Sequence, residues 1–133
     1  MSSAPMPQGS EGLVEPGQIP EHVVVLLLEG GQRFLAKAGE AIRQGDALAQ
    51  DHFLRRVDAI LKELNCRLNH AEGGELVANL VRLYGWWARE IREAGAQGDA
   101  RRLELVSSQM GEIRGAWEVV LFHGEGMSES PQV

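Results

Sequence analysis

The tetrapeptide Gln-Gly-Asp-Ala occurs twice, at residues 44–47 and 97–100, in a chain that otherwise reads as long apolar stripes at helical spacing. Glycine adopts the left-handed conformation that ends a helix, and an aspartate carboxylate accepts hydrogen bonds from the free amides that begin the next. Each copy therefore reads as a minimal helix-to-helix turn. Ahead of the first, Val24, Leu27, Leu28, Phe34, Leu35, Ala38 and Ile42 predict a helix from about Pro20 to Gln44, with Pro20 and Glu21 suited to its first turn. The run Val23 to Leu28, half of it β-branched, would also suit a strand, but helical spacing continues past Arg33 and opposes that reading.

After Asp46, Leu48, Phe53, Val57, Ile60, Leu61, Leu64 and Leu68 keep the helical period until Asn69-His70-Ala71-Glu72-Gly73-Gly74 breaks it. A third stripe, Leu76, Leu80, Leu83, Tyr84, Trp87 and Ile91, is expected to stop at Gly95. The fourth runs through Leu103, Val106, Met110, Ile113, Trp117, Val120 and Leu121, after which Gly124, Gly126 and Pro131 predict a disordered tail over residues 125–133. Each Gln-Gly-Asp-Ala thus closes a helical hairpin, and because the two halves align poorly elsewhere, the repetition reads as convergent turn chemistry. Helices of about 22 to 25 residues, each roughly 35 Å long, pack as an all-α, antiparallel up-down-up-down four-helix bundle. That bundle is expected to span residues 19–124. Residues 1–18, with Pro5, Pro7 and Pro16, acidic charge only and the single apolar pair Leu13-Val14, read as a flexible N-terminal arm long enough to lie back over the first helix.

Composition agrees with one helical core: 133 residues, 44% of them hydrophobic, few aromatics and no threonine. Net charge is −6 and the basic residues are spread from Arg33 to Arg114 without forming a block, so neither a phosphate-tracking surface nor a nucleic-acid partner is expected. Cys66 is the only cysteine, which excludes an intrachain disulfide, and the N-terminus lacks the basic-then-apolar order of a secretion signal, so a cytoplasmic protein is expected. The longest apolar run falls far short of the roughly 20 residues that cross a bilayer, which argues against membrane insertion.

Catalytic readings find little support. A di-iron bundle needs Glu-x-x-His pairs, yet Ile19, Ala49, Arg67 and Val120 stand three residues before the four histidines. A phosphotransfer bundle needs an exposed mid-helix histidine with a lysine nearby; His70 lies at a helix end, and Lys37 and Lys62 are the only lysines. Ser107 and Ser108 have no histidine near in sequence, and Cys66 in its Leu-rich helix is expected to be a buried or half-buried bystander. Gly73-Gly74 lacks the context of a phosphate-binding loop and reads as a plain turn. No enzyme activity, cofactor or metal is expected.

Surplus apolar surface does stand out. Val23 to Leu28 is apolar around more than a full turn, and Val77, Val81 and Ala88 flank the third stripe, so these side chains cannot all face one core. A wider core and a groove for a partner's helix both account for the excess, and residue patterns alone leave the two open.

Resemblance goes further. Pro20-Glu21 leading into Leu27-Leu28-Glu29-Gly30, the turn Gly45-Asp46, then Gly73-Gly74-Glu75-Leu76 with Asn79-Leu80-Val81-Arg82-Leu83-Tyr84, and the closing Ala116-Trp117, resemble the FliS flagellar secretion chaperones in order and spacing. The resemblance implies a chaperone without ATP or catalysis, whose bundle binds the C-terminal segment of flagellin and keeps it from polymerising until export. It implies flagellin as partner, with the export apparatus as a further one, and a homodimer is expected of the free protein from its apolar excess. Leu27, Leu28, Val77, Val81 and Tyr84 are the candidate binding residues, where apolar excess and family motif coincide. A helical scaffold or regulator for another partner is the alternative. The chain departs from the family pattern at Ile19, where members usually have serine, and at Leu28, where they have tyrosine; the family's tyrosine near the N-terminus is also missing, Tyr84 being the only one here.

Overall fold

A computed structural model describes residues 21–68 and 73–129, so the arm expected over residues 1–18 lies outside the described residues. Four helices follow one another: α1 over Glu21–Gln44, α2 over Ala47–Cys66, α3 over Gly74–Gln97 and α4 over Ala100–Glu129. Among the described residues there is no strand, and the run Val23 to Leu28 is helical.

Both Gln-Gly-Asp-Ala turns are built alike. Gly45 and Gly98 have φ of 73° and 64°. The Gly45 amide donates to Ile42 O at 3.1 Å and the Asp46 amide to Ala41 O at 2.9 Å; Gly98 to Gly95 O at 3.3 Å and Asp99 to Ala94 O at 2.9 Å repeat the pattern. Such paired bonds satisfy the last carbonyls of the ending helix. The aspartates then start the next: Asp46 Oδ1 accepts from the Ala49 amide at 3.0 Å, and Asp99 Oδ1 from the Arg101 and Arg102 amides at 3.1 and 3.2 Å. The helix cap therefore comes from the same tetrapeptide that ends the preceding helix.

Three boundaries differ from the sequence reading. α2 ends at Cys66, although Leu68 beyond it is still buried. α3 does not stop at Gly95 but continues to Gln97, because Gly95 is a contact point rather than a terminator: an added Cβ there would stand 2.8 Å from Leu54 Cδ1. α4 runs through Gly124 and Gly126 to Glu129, where a tail was expected; interior glycines lower helix propensity by only about 1 kcal/mol each, and no proline intervenes before Pro131.

Antiparallel neighbours enclose one core. Trp87, Leu28, Leu35, Leu64, Leu103 and Met110 are its largest fully buried side chains, contributed by all four helices. α1 lies closest to its neighbours α2 and α4, while α3 stands further off. Glycines on α1 permit that approach: a Cβ on Gly31 would sit 2.9 Å from Met110 Sδ, and one on Gly30 would sit 3.3 Å from Ile60 Cδ1.

Candidate partner-binding groove

The interhelical seams are held in different ways. Between α1 and α4, Gln32 Nε2 donates to Ser107 O at 3.1 Å while its Oε1 accepts from Arg114 Nε at 3.0 Å, and Arg43 pairs with Glu104 near the turn. Between α3 and α4, Arg102 reaches Glu90 at 3.0 Å and Glu93 at 2.7 Å, and Trp87 Nε1 donates to Gln109 Oε1 at 2.9 Å. Hydrogen bonding to Glu90, then to Glu93, pushes the Arg102 guanidinium still further above its ordinary range, so it remains charged. The α1–α2 seam is aromatic: Phe34 stacks on Phe53 with centroids 6.1 Å apart, and Arg56 lies 5.2 Å from the Phe34 centroid.

The α2–α3 seam is open along much of its length. Gln50 Nε2 donates to Gly95 O at 2.9 Å near one end of the seam. Beside that bond lies a depression of about 540 Å³, walled by Leu54, Ile91 and Ala88, and a second of about 320 Å³ is walled by Leu61, Val81 and Tyr84. Asp58 and Ala88 line both, so the two form one trench. Its width follows from small residues on α3. Around a Cβ built on Gly85 nothing lies within 4 Å, and Ala88 and Ala96 add only methyl groups to the wall. The rim is polar and of mixed sign: Asp51 pairs with Arg55 at 2.7 Å and Asp58 with Lys62 at 3.2 Å along α2, facing Arg92 on α3. An apolar floor with a rim of mixed charge suits an amphipathic helix better than a small polar molecule.

The structure brings two of the five candidate residues into this trench. Val81 is half-buried and Tyr84 is 4% exposed; both line the wall. Leu28 and Val77, at 0% and 6% exposure, face the core, so these two offer a partner little or no surface in this form. Leu27 is half-buried against the core from α1 and does not line the trench. Of the surplus apolar residues, the wider core thus takes Leu28 and Val77 and the groove takes Val81 and Ala88. Residue pattern missed Gly85, since a glycine carries no apolar signal, and it missed Leu54 although that residue stands three and seven positions before Val57 and Leu61, at helical spacing with the α2 stripe.

Tyr84 is held firmly. Its ring tilts against Trp87 with centroids 5.7 Å apart, and burial pushes its phenol up from 10.0 to about 12. Its hydroxyl has no hydrogen-bond partner among the described residues.

Cys66 is exposed, contrary to the expectation of a buried or half-buried thiol. Buried Leu64 sets the phase of the last turn of α2, and a position two residues on falls on the opposite side. His52 is exposed and set edge-on to Phe53 at 5.0 Å. Among the described residues no three of His, Cys, Asp or Glu are grouped to hold a metal ion, and no helix is long and apolar enough to cross a membrane.

Comparison with known proteins bears on what such a bundle does. The family described as flagellar protein FliS matches residues 16–122. The flagellar secretion chaperone FliS of Salmonella typhimurium is 28% identical over 102 residues, 76% of each chain. Flagellar secretion chaperone FliSB of Pseudomonas aeruginosa is 29% identical over 74% of this chain and 79% of its own. FliS of Campylobacter jejuni is 31% identical over 76% of this chain and 79% of its own.

Proposed function

This chain belongs to the FliS family, and from that premise we propose that it is an export chaperone that holds the C-terminal segment of flagellin, prevents its premature polymerisation and supports its secretion during flagellum assembly. The observation that carries this reading is the α2–α3 trench, an apolar channel left open by Gly85 and Ala88 within a bundle whose other seams are bridged by side chains. A segment with apolar residues on one helical face would set them on Leu54, Leu61, Val81 and Tyr84 and its polar residues along the charged rim. Val81 and Tyr84 contact it directly, while Leu28 and Val77 support the wall from within the core and Leu27 offers a half-buried surface on α1. The work is done by binding alone, in the cytosol, with release to the export apparatus and no chemical step. The free protein, whose trench and exposed Leu48 and Leu76 are open to water, forms homodimers that the substrate dissociates.

Isothermal titration calorimetry with the C-terminal segment of the cognate flagellin tests this reading. The expected result is binding at micromolar or lower concentration with a negative heat-capacity change and a gain in helicity by circular dichroism, since an unstructured segment must fold as it buries apolar surface. No heat of binding would overturn the reading in favour of a helical scaffold or regulator for another partner.

A further inference from the structure

Resting on the export-chaperone reading, we propose that the Tyr84 hydroxyl is a selection point in the trench, matched by a neutral oxygen-bearing side chain, a carboxamide or a hydroxyl, on the bound segment. Three observations converge on it. The residue is 4% exposed and lines the trench, yet its hydroxyl has no hydrogen-bond partner among the described residues. Buried polar groups are almost always paired, and one left unpaired is costly to keep. The ring is fixed in advance: it leans on Trp87, and Trp87 is itself anchored by its hydrogen bond to Gln109 at 2.9 Å, so little freedom is lost when a partner bonds the hydroxyl. Finally, Val81, Leu61 and Ala88 make this stretch of the trench mostly apolar, with Asp58, Lys62 and Asn65 as its polar lining and Asp58 and Lys62 paired with each other at 3.2 Å. Such an arrangement discriminates strongly, because a ligand lacking the matching group leaves the phenol unpaired.

Chemistry narrows the matching group. Burial keeps the phenol protonated well beyond neutral pH, so it serves as a donor, and the complement must carry an acceptor oxygen. A carboxylate would leave water for a stretch whose lining cation, Lys62, is already paired with Asp58 at 3.2 Å, which costs more than placing a neutral oxygen there. An apolar side chain would seal the hydroxyl away from water without a partner.

The test compares the full-length wild-type chain with Tyr84→Phe, using the flagellin C-terminal segment as probe and reading both affinity and melting temperature. Removing an unpartnered buried hydroxyl leaves the free protein as stable or more so, whereas binding weakens about tenfold because the segment's polar group then loses its partner. In a series of segments with each Asn, Gln, Ser and Thr replaced by Ala, one replacement should weaken binding to wild type and have no further effect on the Phe variant. Equal affinity of the two proteins, or a lower melting temperature with unchanged affinity, overturns the inference and leaves the export-chaperone reading standing. Absence of binding to wild type overturns both.

Discussion

At the scale of single residues, the two Gln-Gly-Asp-Ala turns concentrate backbone constraint in a few atoms. Gly45 and Gly98 lie at φ of 73° and 64°, and a Cβ added to either would meet nothing within 4 Å, so the cost of a substitution there is conformational rather than steric. Gly98→Ala should destabilise by about 1 kcal/mol, Gly98→Asn by less, and Asp46→Ala by about 1 kcal/mol through the lost cap. Urea unfolding followed by circular dichroism measures all three. Tyr84 supplies a second residue-level prediction. Its folded pKa of about 12 exceeds the ordinary 10.0, so the folded state holds the phenolic proton more tightly than the unfolded one. The associated stability is therefore present in full below pH 10 and lost as pH rises through 12, by at most about 3 kcal/mol. Because Tyr84 is the only tyrosine, tyrosinate absorbance reports its ionisation directly, and Tyr84→Phe should abolish this part of the alkaline loss.

At the scale of elements, α3 decides what the bundle can hold. Gly85 sits in its middle on the trench wall with open space around it, so the residue is a gap rather than a contact. Gly85→Ala should stabilise the free protein by up to about 1 kcal/mol through helix propensity, while Gly85→Leu should fold normally and yet block the trench. Thermal melts and calorimetry with the flagellin segment separate the two effects; a Gly85→Leu variant that binds as well as wild type would place the segment elsewhere. Helix order and both hairpin turns were legible in the sequence because each rests on short-range chemistry, a periodic stripe or a Gly-Asp pair. The trench was legible only in part. Val81 announced itself as apolar excess and Tyr84 through the third stripe and the family motif, but whether Leu28 or Val77 faces core or surface depends on the angle at which neighbouring helices meet, which no local pattern encodes. Gly85 and Gly95 look alike in sequence, yet one opens a gap and the other receives Leu54. Gly124 and Gly126 misled in the opposite sense, since a helix already under way carries glycines at modest cost.

At the scale of the whole molecule, unequal packing is the organising feature. α1 is drawn close to α2 and α4 by its glycines, and the α1–α4 seam is tied by the Arg114–Gln32–Ser107 chain of hydrogen bonds; depressions of about 500 and 540 Å³ on that seam are lined largely by polar side chains, so the α2–α3 face offers the more apolar surface to another helix. On the proposed reading three seams serve stability and one takes the segment, so the core need not rearrange on binding. Hydrogen–deuterium exchange on the full-length chain, with and without the C-terminal segment of flagellin, tests that division most directly. The account predicts slower exchange on binding over residues 54–65 of α2 and 81–92 of α3, the stretches that wall the trench, with the α1–α4 seam unchanged. Slowing confined to α1 and α4, or none at all in the presence of saturating segment, would contradict it.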